Sequence, residues 1–335
     1  MKSLNRIAHK MPQLRRAVVS SLLGAATAGL ALGAAPAHAV DGPIRVLSGY
    51  PAGSGNDALA RIYADALGKK LGVNAIVENR PGAGGLLGMH ALKSAAADSN
   101  TLQMTMDHQI IMLPLILKDP NFDPKKDAVP VAQFTSFNTC LVSGPGSKAK
   151  TLAEYVEAVK KDPNQGNYGV PAPGSQAQFV GFVIGQKFDI PMQPIAYKGA
   201  APAITDLIGG HVPVIIVPCD GVTEHVKAGN ARILGIAAKE RSHLYPDAPT
   251  FQEQGLDMPT DNFVAVFASP NMKPEALKEI TAATQALFND PAVVERINAT
   301  GMKANYADPA TLEAIVARGN EYWAAQVKAS NFAAQ

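Results

Sequence analysis

The chain has 335 residues, with 30 lysines and arginines against 28 aspartates and glutamates, a formal net charge of +2, and 47% hydrophobic residues. Five basic residues (Lys2, Arg6, Lys10, Arg15, Arg16) and no acidic one fall within residues 1–39, so the remaining 296 residues carry 25 basic and 28 acidic groups, a net −3. That balance excludes a nucleic acid or an anionic membrane held by bulk charge, and the length suits about two domains.

Residues 1–39 read as a secretory signal peptide: a basic start, an apolar run from Ala17 to Ala35, and a small-x-small site at Ala37-His38-Ala39. Cleavage after Ala39 and a periplasmic location are expected. Arg15-Arg16 leaves a twin-arginine route open beside the general one. The Ala and Gly content of the run argues against an uncleaved anchor, and no Cys follows it to carry a lipid.

Beyond it, strand and helix signals alternate, the mark of an α/β protein with largely parallel sheets. In chain order the spacing predicts strands at 44–48, 74–78, 101–106, 131–135, 139–143, 168–170, 193–197, 212–217, 232–237 and 263–268. Helices are expected at 57–71, 86–96, 152–161, 175–188, 201–208, 222–228, 274–289, 292–299 and 309–329. Thr151-x-x-Glu154 is a capping box that starts the third helix. Residues 117–130 read as a polar surface excursion. Cys140 and Cys219 each sit in an apolar run, where Cys behaves as a small hydrophobe, so two buried thiols are expected in preference to a bridge.

The first strand feeds Tyr50-Pro51-Ala52-Gly53-Ser54-Gly55-Asn56-Asp57 and then a helix. Small residues at a helix N-terminus let an anion approach free backbone N–H groups and the positive end of the dipole. The loop has no Lys, Arg, His or nucleophile, so it is built to hold an anion rather than to react with one. Asp57 suits the helix dipole, and Arg61 has Asp65 one turn ahead as an ion-pair partner. Tyr168-Gly169-Val170-Pro171-Ala172-Pro173-Gly174-Ser175 repeats the pattern, with Ser175 as helix N-cap. Two such ends facing across a cleft would hold the two ends of a small dianion.

Glu78-Asn79-Arg80-Pro81-Gly82-Ala83-Gly84-Gly85 lacks the spacing of a phosphate-binding loop and reads as a tight turn. Lys198 reads as a solvated loop residue. Asp107-His108 follows the 101–106 strand at its carboxyl end, where α/β sheets bind ligands; it either lines a cleft or forms a surface turn. His90, His211, His225 and His243 have no acidic or nucleophilic companion at a telling spacing, and no catalytic motif or metal-ligand cluster is visible.

Five segments together resemble one family: YPAGSGNDALAR (50–61), VENRPGAGG (77–85), YGVPAPGS (168–175), YKGAAPAITDLIGG (197–210) and RSHLYPDAPTFQEQG (241–255). The chain resembles the TctC or Bug family, the solute-binding proteins of tripartite tricarboxylate transporters. The resemblance implies a type II periplasmic-binding fold, an α/β architecture of two lobes closing on a ligand. Lobe one would be residues 41–138 plus 259–335, and lobe two 139–258.

It also implies a small organic carboxylate as ligand (a dicarboxylate, tricarboxylate, acidic amino acid or aromatic acid), held largely by backbone amides and water. Carried over by position, Gly53, Ser54, Gly55, Asn56 and Asp57 with Gly174 and Ser175 would contact the ligand, and the stretch from Pro218 to Asp220 would line the cleft; His108, from its place after the 101–106 strand, and Gln178, three residues after Ser175, are further candidates. Membrane subunits of a transporter are the implied partners; apart from the resemblance, no cofactor, metal or nucleic acid and a monomeric state are expected. Ser54 stands where the family has a second Gly, and Gln178 where it has a His. Residues 268–274 also depart from its A-P-x-G-T-P, so the ligand of a typical member does not transfer. A sensor that presents the acid to a signalling partner would share the site, and an exported hydrolase is the remaining alternative.

Overall fold

In the computed structural model, residues 39–242 and 244–332 are described; the signal-peptide expectation and His243 lie outside them. One six-stranded sheet, ordered β11-β4-β10-β3-β1-β2, is built from β1 (Ile44–Ser48), β2 (Ala75–Asn79), β3 (Thr101–Met106), β4 (Val129–Phe137), β10 (Asn262–Ala268) and β11 (Lys303–Ala307). A five-stranded sheet, ordered β7-β6-β8-β5-β9, uses β5 (Thr139–Ser143), β6 (Asn167–Val170), β7 (Gln193–Ala196), β8 (Val214–Pro218) and β9 (Arg232–Ala237). This is the α/β, type II periplasmic-binding architecture.

Helices follow the strands: α1 (Gly55–Leu71), α2 (Leu86–Lys93), α3 (Leu113–Ile116), α4 (Pro124–Asp127), α5 (Leu152–Lys161), α6 (Gln176–Phe188), α7 (Ala200–Ile208), α8 (Thr223–Lys227), α9 (Pro274–Leu287), α10 (Pro291–Asn298) and α11 (Pro309–Ala329). Thr151 caps α5 by accepting from the Glu154 amide at 3.1 Å, and the Glu154 carboxylate accepts from the Lys150 amide at 2.7 Å. Among the described residues no helix is long and apolar enough to cross a membrane.

The expectation of largely parallel sheets needs correction. β1 is parallel to β2 and β3, and β6 to β7 and β8, but β10 runs antiparallel to β3 and β4, and β5 to β8 and β9. Apart from the edge strand β11, which runs antiparallel to β4 as well, the reversed strands are β5 and β10, by which the chain enters each sheet from the other. They start at the crossing end, whereas the βαβ strands finish there. Only Asn138 separates β4 from β5, and Asn262 Nδ2, at the start of β10, donates to Thr139 Oγ1 at 3.2 Å. The carboxyl ends of β1, β3, β6 and β8 therefore all point toward the meeting of the two sheets, where ligands of α/β folds bind.

The cysteines form a disulfide, overturning the expectation of two thiols: Cys140 and Cys219 are joined with Cα atoms 5.1 Å apart. Cys140 pairs with Val217 across β5 and β8, so Cys219 is its diagonal neighbour two residues on, on the same face of the pleat. Within the polar excursion, Phe122 and Ala128 are buried and α4 forms behind an Asp123 cap. β11 escaped sequence reading because Lys303–Ala307 is a partly exposed edge strand without apolar alternation. One apolar core spans residues of both sheets, with Leu47, Ile110, Phe179 and Tyr168 alongside Trp323 of α11. Phe332 follows that helix and stacks edge-on against Phe179, centroids 5.5 Å apart.

Candidate functional site

The opening loop is organised by its own carboxylate. Gly53 donates its amide to Asp57 Oδ2 at 2.9 Å, Arg61 Nε reaches the same oxygen at 3.0 Å, and Asn79 Nδ2 donates to Asp57 Oδ1 at 2.8 Å and to the Tyr50 carbonyl at 3.1 Å. Burial pushes the Asp57 pKa up, but Arg61, the Gly53 amide and Asn79 together outweigh it and hold the carboxyl below its usual range. The expected Arg61–Asp65 pair is not formed: Arg61 turns back to Asp57, while Asp65 takes Lys69 at 2.8 Å and Arg296 at 2.7 Å.

Asp57 is thus buried and saturated by protein groups, and it occupies the Gly53 amide. What the loop leaves unspent is the Ser54 hydroxyl proton, Gly55 and the first amides of α1. Ser54 caps the helix, its Oγ accepting from the Asp57 amide at 3.2 Å, which leaves its hydroxyl proton free to donate. Asn56 is buried; Ser48 Oγ donates to its Oδ1 at 3.0 Å, and its Nδ2 has no partner among the described residues.

On the other sheet, the loop after β6 runs through Gly174 and Ser175 into α6. Gln178 Oε1 accepts from the Gly174 amide at 2.8 Å, so this glutamine does the side-chain capping that Ser175 was expected to do. Ser175 does occupy the N-cap position, but its buried Oγ makes no hydrogen bond among the described residues. Gly174 has φ +67°, a left-handed conformation that favours glycine, and a Cβ there would stand 2.4 Å from Ile116 Cδ1 of α3. The second loop therefore abuts the first sheet's half of the molecule.

Two further approaches place the turn before β11, one within the first sheet's half and the other across to the second. A Cβ on Gly55 would stand 3.9 Å from Met302 Cε, and one on Gly301 would stand 3.8 Å from Asp220 Oδ2. The 301–302 turn thus lies between the opening loop and Asp220. Asp220 keeps solvent access, yet the protein mass around it raises its pKa against the pull of its own amide and that of Gly221.

Asp107 and His108 are not a surface turn. Asp107 is 4% exposed at the end of β3, and His108 opens a π-helical turn, His108–Met112. Asp107 Oδ1 accepts from the His108 amide at 2.8 Å. Burial raises the Asp107 pKa to about 7, opposed by the His108 amide, the neighbouring Gln176 side chain of α6 and the Phe263 amide. Burial lowers the His108 pKa to about 4, so its ring is neutral near pH 7.

Asn79, Met302 and Gln176 were missed in the sequence. Asn79 was visible only as part of a glycine-rich turn, and nothing set Met302 or Gln176 apart. The 80–85 stretch is the tight turn expected: a Cβ on Gly85 would stand 2.0 Å from Gln109 Nε2. Lys198 is exposed. A cavity of about 810 Å³ lined by Lys148, Lys150, Lys227 and Arg232 lies at the opposite pole of the second sheet, where β5 ends and β9 begins, and includes none of these loops.

The arrangement places helix-end amides and hydroxyls on both halves of the molecule, and the basic side chain nearest the first loop, Arg61, is turned onto Asp57. Comparison with known proteins agrees in kind. The model of the tripartite tricarboxylate transporter family receptor matches residues 59–332. BugT of Bordetella pertussis is 30% identical over 306 residues, covering 90% of this chain and 94% of BugT. A Rhodopseudomonas palustris protein solved with adipate superposes with a TM-score of 0.74 at 20% identity, covering 85% of this chain and 96% of its own. MatC of the same organism, solved with malate, gives 0.72 at 23% identity, covering 85% and 98%.

Proposed function

The chain belongs to the tripartite tricarboxylate transporter receptor family, and from that premise we propose that it captures a small organic carboxylate between two lobes and hands it to a membrane transporter. The lobes are residues 41–138 with 259–335, and residues 139–258. The chain works in the periplasm as a monomer after losing residues 1–39, and it carries out no catalysis. The observation that carries this reading is the pairing of α1 and α6. Each helix starts from a loop of small residues at the carboxyl end of a β-strand; the α6 loop lies against Ile116 of the first half, and the 301–302 turn beside the α1 loop reaches Asp220 of the second. Helix-end amides stabilise carboxylates without a basic side chain. The adipate and malate held by two proteins of the same fold support the ligand class.

Closure of the lobes would exclude water and strengthen each polar contact, and opening would release the acid. Ser54→Trp tests the site, because Ser54 lies on the helix end and only its cap is lost from the fold, about 1 kcal/mol. The variant should remain folded and lose the rise in melting temperature that carboxylate ligands give the parent protein. An undiminished rise would refute this placement of the site.

A further inference from the structure

Three buried polar atoms where the lobes meet make no hydrogen bond of good geometry among the described residues: Asp107 Oδ2, His108 Nδ1 and Ser175 Oγ, although the Gln176 side chain and the Phe263 amide stand near enough to Asp107 to favour its ionised form. They come from both halves, Asp107 and His108 from the end of β3 and Ser175 from the start of α6. Asp107 lies beside Gln176, the residue after Ser175, so the three share one neighbourhood. Asp107 and Ser175 are 4% and 8% exposed. Leaving a buried polar atom unpaired is costly, more so for a charged one.

Their chemistry is mixed. The Ser175 hydroxyl donates, which suits a ligand carboxylate, while an ionised Asp107 Oδ2 only accepts. The titratable groups facing Asp107 are Tyr50 from the β1–α1 loop and the neighbouring His108, and burial keeps both neutral near pH 7. From α6 comes Gln176, and from β10 the Phe263 amide. No side-chain cation among these offsets the Asp107 charge.

We infer that the bound acid also carries a hydrogen-bond donor, an ammonium foremost and a hydroxyl second, which Asp107 receives while Ser175 meets a carboxylate. The inference rests on the carboxylate-binding reading above and narrows it: the ligand is an amino or hydroxy acid, and Asp107 sets that preference. Because Asp107 is held partly protonated near neutrality, an ammonium ligand would complete its ionisation.

The test is calorimetry and thermal shift with matched acids at three lengths: succinate, malate and aspartate; glutarate, 2-hydroxyglutarate and glutamate; adipate, 2-hydroxyadipate and 2-aminoadipate. In the best-fitting size the amino or hydroxy acid should bind at least about tenfold tighter than the unsubstituted diacid, the scale of one hydrogen bond to a charged group. Asp107→Asn, nearly isosteric, should shrink that ratio to about threefold or less for the amino acid, because Asn keeps an acceptor but loses the charge. Equal or tighter binding of the unsubstituted diacid would overturn the inference and leave the carboxylate reading standing, with water satisfying Asp107. An unchanged ratio in Asp107→Asn would overturn the role of Asp107, and should that variant not fold, the parent ratios decide alone. No binding of any of the nine acids would overturn both readings.

Discussion

Replacing Cys140 and Cys219 together by alanine removes the one covalent cross-link among the described residues. The bridge joins positions 79 apart in sequence, so it closes a long loop in the unfolded chain. On the chain-entropy account, a loop of that size restrains the unfolded ensemble by about 4–5 kcal/mol, and removal of native disulfides typically costs about 2–5 kcal/mol. Alanine is preferred to serine because both positions are buried, and an unpaired hydroxyl there would add its own penalty. Urea unfolding of parent and variant should give a stability difference of about 3–5 kcal/mol, and a reductant should destabilise only the parent. Cys219 precedes Asp220 and ties the end of β8 to β5, so a thermal shift with a bound acid should also fall in the variant. A loss below about 1 kcal/mol, or an intact mass two hydrogens heavier than the bridged chain, would refute the reasoning.

Two further outcomes follow from the loops. Asp57→Asn should destabilise the protein at neutral pH, by an amount that shrinks as pH falls below about 4. A depressed carboxyl pKa contributes stability that is complete above the unfolded value of about 3.9 and is lost as pH falls through the lower folded value. Melting temperatures of both proteins from pH 3 to pH 7 check it, and a pH-independent gap would contradict it. Gly174→Ala puts a Cβ 2.4 Å from Ile116 Cδ1 at φ +67°, across the line where the halves meet. Strain of that kind costs about 1–3 kcal/mol. Because it opposes approach of the two halves, calorimetry should show ligand affinity falling about tenfold or more; unchanged affinity would contradict the close approach seen at α3.

Much of this was legible from residue pattern. The runs at 44–48, 101–106, 139–143 and 232–237 fold as the strands their spacing specifies, and the small-residue loops do open α1 and α6. What was not legible depends on pairings between distant segments. The disulfide required knowing that β5 and β8 are neighbours. The mixed sheets required knowing that β5 and β10 enter from the other half. Arg61 has acidic residues one turn away on both sides, and helical spacing does not choose between them; the buried Asp57 beside Asn79 does. Gln178 looked like a substitution for a titratable group, yet its carbonyl closes the Gly174 turn and frees Ser175. The orphaned polar atoms of Asp107, His108 and Ser175 exist only because two segments nearly seventy residues apart are packed together, so no local motif announces them.

The central claim is that helix-end amides of both lobes hold a free carboxylate. Thermal shift and calorimetry with small mono-, di- and tricarboxylates, each run beside its neutral amide, test it most directly. The account predicts a saturable rise in melting temperature for at least one acid and none for the matching amide. Stabilisation by the amide equal to that by the acid, or no stabilisation by any acid, would contradict it.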